Sequence, residues 1–341
     1  MELFGLGLTL VALFVSFGFM IGVLFGFFGM GGSFLVTPAL LVMGYPARVA
    51  VGSGMAFVFG TALIATLKHH DLGQVDYKLG GLMVLGTTVG IEIGRMGVFY
   101  LEDLGLASSV IGVTYVVLLG GIGAFVTRNA LSSGTSGSSH DADAEIDPDA
   151  LPVIAQRIQS YRIPPMVTIS GGVSVSLWIV LGVALLTGLL SGFLGVGGGF
   201  IRMPAMFYLI GVPVPIAVGT DLFEIVISGG VGSFLYGMEG GVNLAIVAPL
   251  LAGSALGARI GSAATTIVEE GDIEIYFGLM LVGGSIAVAF RQVGTLLDSE
   301  ILNMVSFALI MLSATLVSGA VIYSTISTMR ARPDPVPATA E

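Results

Sequence analysis

A glycine-rich motif occurs twice in this sequence, each time at the end of a long apolar segment. Gly26-Phe-Phe-Gly-Met-Gly-Gly-Ser-Phe-Leu-Val-Thr-Pro38 returns as Gly192-Phe-Leu-Gly-Val-Gly-Gly-Gly-Phe-Ile-Arg-Met-Pro204. After one inserted residue the match continues, with Gly44 corresponding to Gly211, Pro46 to Pro213 and Gly52 to Gly219. A duplicated hydrophobic chain interrupted at corresponding places is typical of secondary transporters. The duplication therefore predicts two similar halves whose glycine clusters converge on one site in the membrane.

The composition places most of the chain in a lipid bilayer. Hydrophobic residues make up 55% of the 341 and charged residues 10%, whereas a soluble domain is about 25% charged. A helix that crosses a bilayer needs about 20 apolar residues. Nine segments qualify: 4–27, 47–67, 78–97, 106–127, 174–195, 214–236, 243–263, 274–291 and 301–326. We therefore predict an all-α polytopic membrane protein with about nine transmembrane helices.

The same pattern predicts how the chain is divided. We expect a first transmembrane repeat at 1–128, an acidic Ser/Gly/Asp-rich linker at 129–165 and a second transmembrane repeat at 166–292. Residues 293–341 hold an extra transmembrane helix and a disordered tail. The linker is too polar to bury apolar surface, so we expect it to be solvated. Lysine and arginine divide almost evenly over alternating loops, so membrane orientation stays open.

Two further apolar segments, 33–45 and 199–212, are too short to cross the membrane as helices. Each would reach only about 20 Å, against a hydrocarbon core of roughly 30 Å. Both follow a glycine cluster, which predicts a duplicated four-span repeat with glycine-broken half-helices. The repeats would be parallel with four spans each, or inverted if the half-helices cross the bilayer completely. Irregular backbone at membrane depth persists only inside protein or beside a wet cavity, so the breaks indicate a cavity.

The duplicated Gly-Phe-x-Gly-x-Gly-Gly-x-Phe motif and its trailing proline resemble the sulfite exporter TauE/SafE family. So do the later Gly-x3-Gly-x3-Gly segments at 86–94 and 253–261. The resemblance covers everything except the linker, the ninth span and the tail. It implies a transporter of small sulfur-containing anions or organosulfonates across the inner membrane. The ninth span departs from the family's commoner eight, which leaves the side of the C-terminus open.

The glycine clusters are the first candidates for substrate binding. Backbone N–H groups at a helix start attract anions without needing a buried lysine. The alternative is close helix packing, which glycine also favours in membranes; we assign the Gly-x3-Gly-x3-Gly segments to packing. The predicted substrate-binding residues are Gly31, Gly32, Ser33, Pro38, Gly197, Gly198, Gly199, Arg202 and Pro204.

Charged residues inside predicted spans are the second set of candidates, since such residues are costly in a membrane and often functional. Arg202 follows the second glycine cluster and is the candidate for direct contact with an anion. The candidates for coupling transport to an ion are Glu92, Arg95, Asp221, Glu224 and Arg259. Two structural alternatives stay open: Glu92 and Arg95 form a local ion pair, or Asp221 and Glu224 pair with Arg202 or Arg259 and only hold the fold.

These patterns favour a secondary transporter of a small anion, and the resemblance implies export of sulfite, a sulfonate or a related organosulfur or organic anion. We expect the anion to bind between the two glycine-rich breaks. The sequence has no Gly-x4-Gly-Lys-Ser/Thr motif, so a gradient rather than nucleotide hydrolysis would drive transport. The alternatives are an intramembrane enzyme or a membrane assembly scaffold. We expect no enzyme, because the sequence contains no cysteine, His-Glu-x-x-His or Gly-x-Ser-x-Gly.

The expected partners are a small anionic substrate and the lipid bilayer, without nucleic acid, cofactor or metal. Homo-oligomerisation is left open. The net charge of −10 is combined with very few lysines, a pattern that suits a cell surrounded by high salt. We therefore expect a multi-pass protein of the cell membrane (the cytoplasmic membrane of a prokaryote), with a halophilic host as the hypothesis.

Overall fold

The structure is a computed structural model. It describes residues 2–3, 6–28, 32–71, 73–133, 163–169, 174–206, 210, 212, 214–264 and 270–331. The first half contains α1 (Leu8–Phe28), a 3₁₀ turn (Gly32–Leu35), α2 (Val36–Val42), α3 (Ala47–Asp71), α4 (Tyr77–Asp103) and α5 (Ala107–Ser133). The second half contains α6 (Leu177–Leu194), α7 (Gly199–Ala205), α8 (Val214–Met238), α9 (Leu244–Ala264) and α10 (Glu270–Leu296), followed by α11 (Glu300–Ala331).

The predicted fold class is confirmed. Within the described residues, nine helices are long and apolar enough to cross a membrane, and each corresponds to one predicted span. The sequence did not predict two short antiparallel strand pairs, β1 (Glu2–Leu3) with β2 (Leu6–Gly7) and β3 (Met166–Thr168) with β4 (Ser174–Ser176). The division into domains stays a prediction, because 134–162 of the linker and 332–341 of the tail lie outside the described residues.

The Gly-x3-Gly-x3-Gly segments pack the two halves together, in agreement with the sequence prediction. The segment on α9 faces α1, where a Cβ on Gly257 would overlap the Phe19 carbonyl. The segment on α4 faces α6, where a Cβ on Gly90 would overlap the Leu185 carbonyl. The first helix of each half therefore packs backbone to backbone against the third long helix of the other half. Glycine is required there because any side chain would separate the helices.

The order of these contacts gives the direction of each helix. Along α1 and α9 the contacts run in parallel, from Gly18 opposite Leu250 to Gly26 opposite Ala258. The contacts of α4 with α6 also run in parallel, because Gly86 and Gly90 successively face later parts of α6. These two pairs are equivalent under the sequence repeat.

The central pair, α3 and α8, runs antiparallel. Gly232 of α8 lies against Met55 of α3, and Gly229, one turn earlier, lies against Phe59 further along α3. Helix α3 runs parallel to α9. Near the start of both helices, Ser53 Oγ accepts a hydrogen bond from the Asn243 backbone N–H. Further along both, a Cβ on Gly60 of α3 would overlap the side chain of Leu251 of α9.

Helix α4 runs parallel to α8, because a Cβ on Gly80 would overlap Phe223, and further along both helices a Cβ on Gly232 would lie 3.4 Å from Ile91. Two groups of helices therefore point in opposite directions: α1, α3 and α9 against α4, α6 and α8. In each half the first two long helices share a direction, and that direction is reversed in the other half. The repeats are inverted, which was the second of the two sequence alternatives. Because α1 and α3 point the same way, the segment between them, which contains α2, must return across the membrane. The segment containing α7 does the same in the second half.

Candidate functional site

The second glycine cluster breaks the membrane-embedded helix as predicted. Helix α6 ends at Leu194, and the next residues include three glycines with positive φ, namely Gly195 (73°), Gly197 (68°) and Gly198 (84°). Residues other than glycine rarely adopt these backbone angles. Helix α7 begins again at Gly199.

The first break is described only in part. Helix α1 ends at Phe28 and the 3₁₀ turn begins at Gly32. Gly31 and the side chain of Ser33 lie outside the described residues. Pro38 is buried within α2, and Pro204 belongs to α7.

Two buried tyrosines bond to carbonyl groups at the second break. Tyr115 of α5 donates a hydrogen bond to the Leu194 carbonyl at 2.6 Å, and Tyr236 of α8 donates one to the Gly192 carbonyl at 2.6 Å. Without water in the bilayer core, such groups must find partners inside the protein. Sequence reasoning missed both tyrosines. The available signal was that each tyrosine falls in a predicted apolar span, where its hydroxyl needs a partner within the protein.

Arg202 follows the break and lies in a buried ionic cluster. Its Nη1 lies 3.1 Å from Asp221 Oδ1 and also donates to Glu224 Oε2. All three side chains have no exposed surface. Ser228 Oγ donates to Glu224 Oε2 at 3.1 Å, and Arg202 Nη2 donates to the Gly197 carbonyl at 3.1 Å. The predicted pairing of Asp221 and Glu224 with Arg202 is therefore present, and contact of Arg202 with an anion stays a prediction.

The second break lies at the centre of the molecule. A Cβ on Gly197 would overlap Val58 of α3 and lie 3.5 Å from Ile225 of α8. Val58 and Ile225 are repeat equivalents, and each is the twelfth residue of a 25-residue helix. Thr37 of α2 also reaches this break, because a Cβ on Gly195 would lie 2.9 Å from its Oγ1. The half-helix of one repeat thus contacts the break of the other.

The ionic cluster belongs to the second half alone. By the repeat, Val36 corresponds to Arg202, and Gly54 and Phe57 correspond to Asp221 and Glu224. The two halves therefore share a backbone plan, but the ionic cluster of Arg202, Asp221 and Glu224 occurs in the second half.

The remaining charged candidates lie elsewhere. Glu92 and Arg95 form the predicted local ion pair on α4, with Arg95 Nη2 2.6 Å from Glu92 Oε1. Arg95 also pairs with Glu239, between α8 and α9. Arg259 is exposed on α9 and does not join the cluster. A cavity of about 540 Å³ lies away from the breaks, lined by Val42, Met43, Glu300, Asn303, Met304 and Phe307.

Comparison with known proteins identifies the family of the chain. The model of the sulfite exporter TauE/SafE family matches residues 14–289. The chain belongs to this family. It is 26% identical over 276 residues to the probable membrane transporter protein YunE of Bacillus subtilis, covering 79% of this chain and 93% of the relative. A probable membrane transporter protein of Xylella fastidiosa (strain Temecula1) is 25% identical over 291 residues, covering 84% of this chain and 98% of the relative.

A relative from Methanocaldococcus jannaschii, also named a probable membrane transporter protein, is 26% identical over 273 residues, 74% of this chain and 87% of the relative. No solved structure gives a significant match. The family, the relatives' names and the nine apolar helices of the described residues identify a multi-pass membrane transporter. A transporter implies a small-molecule substrate and a surrounding bilayer.

Proposed function

We propose that the protein is a secondary transporter that exports a small anion: sulfite, a sulfonate or a related organosulfur or organic anion. The family description supplies the sulfite. The observation that carries the proposal is the meeting of broken elements at the centre of two inverted repeats, where Thr37 contacts Gly195 and Gly197 lies between Val58 and Ile225. Transporters built from inverted repeats bind substrate at such midplane breaks.

The anion would be held chiefly by backbone groups. The first N–H groups of a helix lack intrahelical acceptors and carry a partial positive charge. Gly197, Gly198 and Gly199 present these groups at the start of α7, and Gly31 and Gly32 stand at the equivalent sequence positions. Arg202 adds a guanidinium close to Gly198, since a Cβ on that glycine would lie 2.8 Å from Arg202 Nη2. Arg202 has no exposed surface, so an anion would reach it only after the elements around it move.

Flux measurements on purified protein in liposomes test the proposal. We expect the wild type to move sulfite or a sulfonate. Gly32→Leu and Gly198→Leu should each remove most of the flux, because both place a side chain where backbone must approach the substrate. Each variant is compared as a monodisperse sample, so that loss of folded protein is not mistaken for loss of transport. Normal flux from both folded variants contradicts a shared site.

Arg202→Gln should also lose most of the flux, because the break would lose its guanidinium. Arg330→Gln is the matched control, since Arg330 is exposed at the end of α11, and its flux should equal that of the wild type. Unchanged transport in folded Arg202→Gln would assign this arginine to the fold alone.

A further inference from the structure

The buried cluster has more negative than positive groups. Arg202 supplies one cation, while Asp221 and Glu224 supply two carboxylates, and none of these side chains has exposed surface. Uncompensated buried charge is strongly unfavourable. Both carboxylates bond to the same nitrogen, Arg202 Nη1, so they are close together. Two carboxylates that share a site in this way tend to keep one proton between them.

Two oxygen atoms of the cluster give independent support. Asp221 Oδ2 and Glu224 Oε1 are buried and have no hydrogen-bond partner among the described residues. A buried carboxylate normally has its lone pairs satisfied. Protonation of one carboxyl removes a negative charge, which lowers the cost of burying these oxygens without partners.

Among the side chains that the structure describes, no further charge offsets this excess; those of Lys68, His69 and His70 at the end of α3 lie outside that description. On α7 the charged residue is Arg202 itself, and on α6 the contacting residue is the uncharged Thr187. Asp76 lies just before α4. Its backbone N–H donates to Thr220 Oγ1, and its carboxylate accepts from the backbone N–H groups of Lys78 and Leu79. Lys78 Nζ donates to the Thr168 carbonyl. Of the described cations, Arg202 is the one in ion-pair contact with either carboxylate.

We infer that Asp221 and Glu224 bind one exchangeable proton, held on Asp221, and that this proton moves with the transported anion. Asp221 is the proton carrier because Glu224 has the additional hydrogen bond from Ser228 that stabilises its ionised form. A metal cation suits the cluster less well. Hard cations need several oxygen ligands, and the guanidinium would repel a cation that bound beside it.

The coupling to an anion rests on the proposed function. Arg202 Nη2 donates a hydrogen bond to the Gly197 carbonyl. The protonation state of the cluster therefore changes the net charge directly beside the break. With the proton absent, excess negative charge there disfavours an anion. With the proton present, the cluster is neutral and the break can accept one. Because the repeat equivalents are Val36, Gly54 and Phe57, only the second half would carry this proton.

Infrared difference spectroscopy tests the proton site without requiring transport. We expect purified wild type at neutral pH to show the C=O stretching band of a buried protonated carboxylic acid, and Asp221→Asn to lose it. Asp103→Asn, an exposed site at the end of α4, should keep the band. Glu224→Gln should also lose it, because one carboxylate then suffices to balance Arg202. Absence of the band from the wild type, or its persistence in both cluster variants, overturns the proton site.

Protein yield checks the same charge count. Each single variant leaves a balanced pair and should give monodisperse protein. Asp221→Asn combined with Glu224→Gln leaves Arg202 without an anion, and its yield should fall several-fold. If the single variants lose as much folded protein as the double variant, both carboxylates are ionised structural partners of Arg202 and the inference is wrong.

Proteoliposomes with an internal pH-sensitive dye test the coupling. Methanesulfonate is the probe, because it does not itself take up a proton near neutral pH. An outward gradient should move protons with the anion in the wild type, and Asp221→Asn should move the anion without protons. Equal proton movement in both proteins, or flux that requires sodium rather than choline, overturns the inference. If no anion moves through the wild type while the infrared band behaves as expected, the proposed function fails and the proton site stands.

Discussion

The backbone at the second break can be tested with a matched pair of glycines. Gly198 and Gly44 both have φ of +84°, but a Cβ on Gly198 would lie 2.8 Å from Arg202 Nη2, while a Cβ on Gly44 meets nothing within 4 Å. Alanine at either position costs about 1–2 kcal/mol for the left-handed conformation. At Gly198 the new methyl group also displaces a guanidinium that has no free space, because Arg202 is completely buried.

That displacement breaks the hydrogen bond from Arg202 to the Gly197 carbonyl. A hydrogen bond to a charged group contributes about 1.5–3 kcal/mol. Gly198→Ala should therefore lower the free energy of unfolding by about 2.5–5 kcal/mol, the sum of this loss and the backbone strain. Gly44→Ala should lower it by about 1–2 kcal/mol.

Reversible unfolding of both purified variants in mixed micelles, titrated with denaturing detergent, measures the difference. Sulfonate flux in liposomes should fall strongly in Gly198→Ala and remain close to wild type in Gly44→Ala. Equal stability losses in the two variants would refute the reasoning, because they would show that the guanidinium moves aside without cost. Normal flux in Gly198→Ala would show that transport does not depend on the backbone conformation at this break.

Two further predictions concern packing and the carbonyl groups at the break. Gly257→Leu should sharply reduce the yield of monodisperse protein on size exclusion, because its side chain would overlap the backbone of α1. Gly81→Leu is the control, since the space around Gly81 is open, and its yield should match wild type. Equal yields from the two variants would contradict the close approach of α1 and α9. Tyr115→Phe should lower unfolding stability by roughly 1–3 kcal/mol, because a buried carbonyl loses its donor, and Tyr323→Phe, an exposed control, should match wild type.

Local sequence signals were sufficient for the spans and for the second break. A run of 20 apolar residues requires a membrane helix, and clustered glycines terminate one. The partners of the break were not predictable, since Tyr115 and the Leu194 carbonyl are 79 residues apart in the chain. For Arg202 the residue types indicated pairing with Asp221 and Glu224, but they could not exclude Arg259 as the cation. In the structure Arg202 contacts both carboxylates, whereas Arg259 is exposed on α9. The sequence alone does not give these distances.

The direction of each helix was the main feature that the sequence did not predict, and it changes the number of lysines and arginines assigned to each membrane face. We define the N-terminal face as the side where α1 and α3 begin, and the linker face as the side where α5 ends and α6 begins. Assigned to these faces, the charges become asymmetric. Arg48, Arg95 and Arg291 lie towards the N-terminal face, whereas Lys68, Lys78, Arg128, Arg259 and Arg330 lie towards the linker face. The chain from α5 to α6 adds Arg157 and Arg162, and Arg332 follows α11. Counting over simply alternating loops had hidden this bias, because it ignored the returning segments.

The positive-inside rule then predicts that the linker face is cytoplasmic. The chain has no cysteine, so single cysteines can be introduced without removing native ones. Leu8, Leu106 and Leu131 are exposed at the start of α1, before α5 and near the end of α5. In intact cells, a membrane-impermeant maleimide should label Leu8→Cys and Leu106→Cys, and it should label Leu131→Cys only after permeabilisation. Complete reversal of this pattern would refute the charge argument alone. Labelling of Leu8→Cys and Leu106→Cys from opposite sides would refute the inverted arrangement itself, because that arrangement requires α1 and α5 to begin on the same face.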